Sequence, residues 1–142
     1  MATTSTSTAS LRLRIVSPEG IVAEQEADSV VFPGEDGLFG ILPRHAAMVS
    51  LTVSGVLKAK SGGETVEYLI HEGFAQVRDD VVTVLTRSCE KADEIDLERA
   101  KRAAERAMDR LRAKEAELDL SRAQHALQRA LLREKMARHH SR

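Results

Sequence analysis

Apolar and charged residues alternate in the stretch Leu11–Ser17, LRLRIVS, which is the period-two pattern of a strand with one face buried. β-branched runs follow in SVVF, MVSLTV, TVEYLI and DVVTVLT. Between them stand groups rich in turn formers: Pro18-Glu19-Gly20, Pro33-Gly34-Glu35-Asp36-Gly37, Ser61-Gly62-Gly63 and Arg78-Asp79-Asp80. Pro sets φ for a turn, Gly supplies positive φ, and Asp bonds its own backbone, so each group predicts a chain reversal. Short strands at this spacing predict a sandwich or flattened barrel. With three Phe, one Tyr and no Trp, its core is expected to consist mainly of Val, Leu and Ile.

Beyond Glu90 the pattern changes. No Gly or Pro occurs from Lys91 to the end, and Ala, Leu, Glu, Lys and Arg, all strong helix formers, dominate. The phrase IDLERAKRAAERAMDR recurs 23 residues later as LDLSRAQHALQRALLR. Asp96 and Asp119 each precede a periodic run and can cap free N–H groups at a helix start. Two helices of roughly 20 residues, about 30 Å long, are predicted. The expected architecture is α+β: an N-terminal β-sandwich over residues 11–90 and an antiparallel two-helix hairpin over 91–142. Residues 1–10, MATTSTSTAS, lack the charged start and apolar run of a secretory signal and read as a disordered arm. No apolar run approaches the roughly 20 residues of a membrane-spanning helix.

On a wheel of 100° per residue, Arg99, Arg106 and Arg110 fall within roughly 40° of one another, and so do Arg122, Arg129 and Arg133. The apolar seams match too: Ala100, Ala103, Ala104 and Ala107 in one helix, Ala123, Ala126, Leu127 and Ala130 in the other. If these seams pack antiparallel, a local two-fold brings both arginine stripes out on one side. Arg129 and Arg133 have no acid three or four residues away. Guanidinium forks suit phosphate oxygens, so the repeat reads as a two-sided phosphate clamp. The alternative is two amphipathic helices whose arginines are simply solvated. Alanine seams bury little area, roughly 0.8 kcal/mol per methyl-sized group, so the hairpin is expected to be marginal and able to open.

Charge supports two modules. Residues 1–90 carry 7 basic and 12 acidic side chains, net −5, whereas 91–142 carry 14 and 10, net +4. From Leu120 onward six basic residues face one acid, Glu134, which suggests an anionic partner. Helices without aromatic residues offer no platform for stacking bases, which argues against nucleic acid. The lone Cys89 excludes an internal disulfide and fits a reducing compartment. His71 and Glu72 have no nucleophile nearby in sequence, and no catalytic constellation is present. A free-standing nucleotide sensor and a nucleic-acid-binding hairpin remain as rival readings.

The chain resembles the epsilon subunit of bacterial F-type (rotary) ATP synthases. The likeness runs from Leu11 to about Ala137. LRIVSPEGIV, FPGEDGLFGILPRHAAM and EGFAQVRDDVVTVL carry it in the sandwich, and IDLERA matches the family's ATP-binding phrase. The resemblance implies a non-catalytic central-stalk subunit at the cytoplasmic face of the bacterial plasma membrane. Its sandwich would bind the gamma subunit and the membrane rotor c-ring. Its helices would lie folded, or extend into the alpha/beta catalytic head and inhibit ATP hydrolysis. Carried over by residue, Glu90, Ile95, Asp96, Arg99, Ala100, Arg106, Arg129 and Arg133 would bind ATP as a regulatory ligand without a metal. Glu35, Asp36 and Leu38 would contact the rotor ring. The resemblance supplies no role for Arg110 and Arg122.

Overall fold

The computed structural model describes residues 10–112 and 120–140. The expected arm, apart from Ser10, and the second expected cap, Asp119, lie outside the described residues. The chain divides into two compact units, 1–89 and 90–142.

The first unit is all β. Its strands are β1 (Leu11–Ser17), β2 (Gly20–Ala27), β3 (Ser29–Gly34), β4 (Gly37–Ile41), β5 (Met48–Thr52), β6 (Gly55–Ser61), β7 (Glu64–Ile70), β8 (Gly73–Arg78) and β9 (Val81–Thr86). They are hydrogen-bonded in the order β7-β6-β3-β5-β8-β9-β1-β2, and β4 pairs with β3. The ladders are antiparallel except β1–β9, which is parallel. The sheet curls until β2 meets β6, and the Tyr68 hydroxyl of β7 donates to Gln25 Oε1 of β2 at 2.6 Å. The result is a nearly closed barrel-like sandwich.

Alternation decides which face closes. Leu11, Leu13 and Ile15 point inward from β1, joined by Val82 and Val84 of β9, Ala75 and Val77 of β8, Val30 and Phe32 of β3, and Leu57 and Ala59 of β6, all essentially without solvent exposure. Burying each large side chain contributes about 1.5–3 kcal/mol, so this unit carries its own core. Between these positions lie charges such as Arg12, whose Nε and Nη2 donate to Glu24 Oε1 across the β1–β2 ladder at 3.1 and 2.8 Å.

Two of the tight turns use positive φ at both central residues, as type I′ hairpins require. Gly62-Gly63 adopts +59° and +86°, and Asp79-Asp80 adopts +50° and +62°. Aspartates pin the loops: Gly62 N–H donates to Asp28 Oδ2 at 2.9 Å, and Arg44 N–H donates to Asp80 Oδ1 at 2.6 Å.

A polar cluster closes one end of the sheet. The Thr52 hydroxyl donates to the His71 carbonyl at 3.3 Å, and His71 N–H donates to Thr86 Oγ1 at 2.9 Å. Ser54 Oγ lies 3.2 Å from His71 Nδ1, so the fold brings a hydroxyl to this histidine that sequence proximity did not reveal. Thr52, His71 and Thr86 are buried and bonded, and the group serves to satisfy backbone polar atoms where β7 hands over to β8.

The second unit opens with the end of the short strand β10 (Cys89–Lys91) and a 3₁₀ turn, Ala92–Glu94. Helices α1 (Leu97–Arg112, 16 residues) and α2 (Leu120–His140, 21 residues) then form an antiparallel hairpin. Its seam is the one the repeat predicts. Ala100, Ala104, Ala107, Ala123 and Ala130 are buried, while Ala103, Ala126 and Leu127 are half-buried. Near its end α2 also packs on the 3₁₀ turn, burying Met136 and Ala137 together with Ala92.

Candidate functional site

Helix α1 begins as the repeated phrase implies. Arg99 N–H donates to Asp96 Oδ1 at 3.1 Å, and Ala100 N–H donates to the Asp96 carbonyl at 3.0 Å. Asp96 is therefore the N-cap, with its side chain on the third helical N–H. Ile95 and Ala100, flanking the cap at the positions of a hydrophobic staple, are both buried. Glu98 in the first turn and Arg110 and Arg112 in the last complement the helix dipole.

This cap has a consequence for any test of the site. Asp96→Ala removes the cap and should cost about 1 kcal/mol of hairpin stability whether or not a ligand binds there. Asp96→Asn keeps a capping oxygen, and its thermal melt by far-UV circular dichroism should match the wild type within a few degrees. A melt lowered equally by both substitutions would show that charge, not the cap bond, holds the helix start.

The arginines divide between the helices. Arg99, Arg106 and Arg110 on α1, and Arg122 on α2, are exposed; Arg129 and Arg133 are half-buried. The Arg133 fork grips Glu90, with Nε donating to Oε2 at 2.6 Å and Nη2 to Oε1 at 2.8 Å. Among the described residues Arg99, Arg106 and Arg129 form no ion pair. Of the eight positions assigned to ATP, the structure joins Glu90 to Arg133 and gathers Ile95, Asp96, Arg99 and Ala100 around the cap. Arg106 and Arg129 stand outside both groups. Guanidinium forks and a helix N-terminus can hold phosphate oxygens, and among the described residues of the two helices no nucleophile is paired with a general base. Among the described residues no group of three His, Cys, Asp or Glu side chains is placed to hold a metal ion.

The sandwich presents two further surfaces. Glu35 and Asp36 form the two-residue turn between β3 and β4, and Leu38 follows at 73% exposure, so all three share one hairpin tip. Leu42, just after β4, is likewise exposed. Beneath the tip, Phe39 stacks on buried Phe32 with ring centroids 5.4 Å apart. The second surface is an outward apolar row, which sequence reading missed. Leu51, Phe74, Leu85, Val16 and Ile21 are successive register partners across β5, β8, β9, β1 and β2. Four of the five are about half exposed, and Val16 is half-buried. In β5 the usual sense is inverted: Ser50 and Thr52 point inward while Val49 and Leu51 face out. That inversion was visible in MVSLT, but only the register shows which set faces solvent. His45 Nδ1 meets the Ala46 carbonyl at 2.7 Å, a local loop contact. Among the described residues no helix is long and apolar enough to cross a membrane.

Comparison with known proteins bears on both units. Residues 10–92 match the family described as ATP synthase, delta/epsilon chain, beta-sandwich domain, and residues 93–138 match ATP synthase, delta/epsilon chain, long alpha-helix domain. The ATP synthase epsilon chain of Desulforamulus reducens is 45% identical over 103 residues, covering 72% of this chain and 78% of that one. That of Nitratidesulfovibrio vulgaris is 43% identical over 102 residues, covering 72% and 76%. Two solved structures share the fold. One is a chain of the Euglena gracilis mitochondrial ATP synthase (OSCP/F1/c-ring), with TM-score 0.65, 24% identity, and 88% of this chain and 75% of that one covered. The other belongs to the central stalk/c-ring of the Tetrahymena thermophila mitochondrial ATP synthase, with TM-score 0.55, 14% identity, and 89% and 96% covered. With the sandwich and the helices both matched and epsilon chains more than 40% identical, the chain belongs to the ATP synthase epsilon-chain family.

Proposed function

We propose that this chain is a non-catalytic central-stalk subunit of a bacterial F-type ATP synthase, peripheral on the cytoplasmic face of the plasma membrane. The observation that carries this reading is the match of residues 10–92 and 93–138, in order, to the two domains of the ATP synthase delta/epsilon chain. In this role the sandwich (residues 11–90) joins the gamma subunit to the rotor c-ring. The outward apolar row is the surface suited to gamma. The tip bearing Glu35, Asp36 and Leu38 is the one suited to the ring. The helices (91–142) act on the alpha/beta catalytic head: extended, they restrain ATP hydrolysis, and their excess of basic residues after Leu120 suits an acidic surface there.

ATP bound to the folded hairpin would favour the unrestrained form by mass action, because a ligand of one state stabilises only that state. Arg99 and Arg106 on α1 and Arg129 on α2 are among the cations without a carboxylate partner in the described residues, so their guanidinium groups are open to phosphate oxygens. Isothermal titration of ATP into the isolated chain tests this. Arg99→Ala and Arg129→Ala should each weaken binding about 10- to 150-fold, the usual effect of losing one charge-assisted hydrogen bond. Arg138→Ala should not, since that side chain pairs with Glu134 at 2.6 Å. ATP affinity unchanged in both clamp variants would return the arginine stripes to solvated faces.

A further inference from the structure

A two-pronged ion pair ties the start of the hairpin unit to the later turns of α2. Glu90 belongs to the first residues of the unit and Arg133 to the later turns of α2, 43 positions apart in sequence. The contact is bidentate, at 2.6 and 2.8 Å, with side chains only 20% and 35% exposed for Arg133 and Glu90. It therefore engages the edge of the guanidinium best shaped for two phosphate oxygens. Arg129, one helical turn earlier, is on the same face of α2, half-buried and without an ion-pair partner among the described residues.

From this geometry we infer that Glu90 is an internal stand-in for phosphate: an acidic latch that occupies Arg133 and must exchange with an incoming polyphosphate. The inference rests on the nucleotide reading given above and adds its regulation. The latch serves two purposes. It neutralises a partly buried guanidinium, and it fastens the later turns of α2 to the start of the unit. A phosphate that used the remaining edge of Arg133 would come within roughly 5 Å of a carboxylate of its own sign, an unfavourable approach in a half-buried setting. Nucleotide binding thus requires Glu90 to swing away from Arg133. A site closed by its own acid nine-tenths of the time shows an apparent affinity about tenfold below its intrinsic one.

The test is Glu90→Gln in the full chain, a change that keeps shape and hydrogen bonding but removes the charge. ATP titrated calorimetrically into this variant should bind about tenfold tighter or better than into the wild type. The nucleotide-free variant should also melt at a lower temperature by helical circular dichroism. Glu90→Ala should show the same two changes, which guards against a local effect of the glutamine amide. A wild type silent to ATP beside a variant that binds it would also support the latch, as one held shut. If the wild type binds ATP and neither variant binds it more tightly, the latch is overturned and the nucleotide reading stands. If no form binds ATP, the nucleotide reading falls and the latch falls with it.

Discussion

Replacing Gly73 by alanine is expected to cost the sandwich about 3 kcal/mol or more, a large part of the 5–15 kcal/mol that holds a typical domain together. Gly73 opens β8 opposite Thr86 of β9 and Thr52 of β5. A methyl group built there would lie 1.8 Å from the Leu85 carbonyl oxygen, 2.9 Å from its carbon and 3.2 Å from Thr86 Cα. All three are backbone atoms, so no side chain can swing aside. The β8–β9 ladder would have to part at the point where Thr52, His71 and Thr86 already lock the neighbouring backbone. Gly40 supplies the control, since nothing lies within 4 Å of its missing Cβ and its φ is not in the left-handed region. Gly40→Ala should stay within about 0.5 kcal/mol of the parent, or gain slightly from reduced backbone freedom. Urea denaturation of the two variants measures the contrast. Equal midpoints would mean that β8 and β9 do not approach this closely.

That close approach could not be foreseen, because nothing in EGFAQVR says which backbone will pass Gly73. The same limit applies elsewhere, and it follows range of interaction. Leu11–Ser17 was legible because its alternation records its own burial, and Asp96 because a cap bond spans three residues. Strand β2, GIVAEQEA, was not singled out: Ala, Glu and Gln favour helices, and the segment is held extended by pairing with β1 from Leu11 to Ser17. Within the hairpin, the wheel found the alanine seam, since that depends only on helical period. It could not find Glu90 as the partner of Arg133. Pairing rules for a helix look three or four residues away, and this acid is brought back by the turn that precedes α1. The different burial of the two stripes has the same origin. Helix α2 packs on the Ala92–Glu94 turn, Met136 near its end is buried, and Arg133, three residues before it, is largely withdrawn from solvent.

The outward apolar row leads to the other large expected effect. Single exposed apolar residues are ordinary, but a register-matched row five strands wide, roughly 19 Å at 4.8 Å per strand, is a surface that water solvates poorly. The inverted strand β5 strengthens the case. A strand serving only its own core would place Val49 and Leu51 inside and Ser50 outside, yet here Val49 is 70% exposed and Leu51 46%. If this face seats the gamma subunit, Leu51→Asp combined with Phe74→Asp places two charges, directly paired across β5 and β8, in the middle of the contact. Each substitution forfeits an apolar anchor worth about 2 kcal/mol in a typical interface, so the pair should weaken gamma binding about 1,000-fold. Both side chains point away from the core, so the isolated variant should still fold, as near-native circular dichroism would show. Two adjacent aspartates should lower its melting temperature only modestly. Lys58→Ser, on a strand outside the row, should leave gamma binding unchanged and serves as the control. The measurement is a titration of each variant against the purified gamma subunit at fixed salt. A folded double variant that binds gamma as tightly as the wild type would move the docking surface elsewhere on the sandwich. It would leave the inversion of β5 in want of another partner.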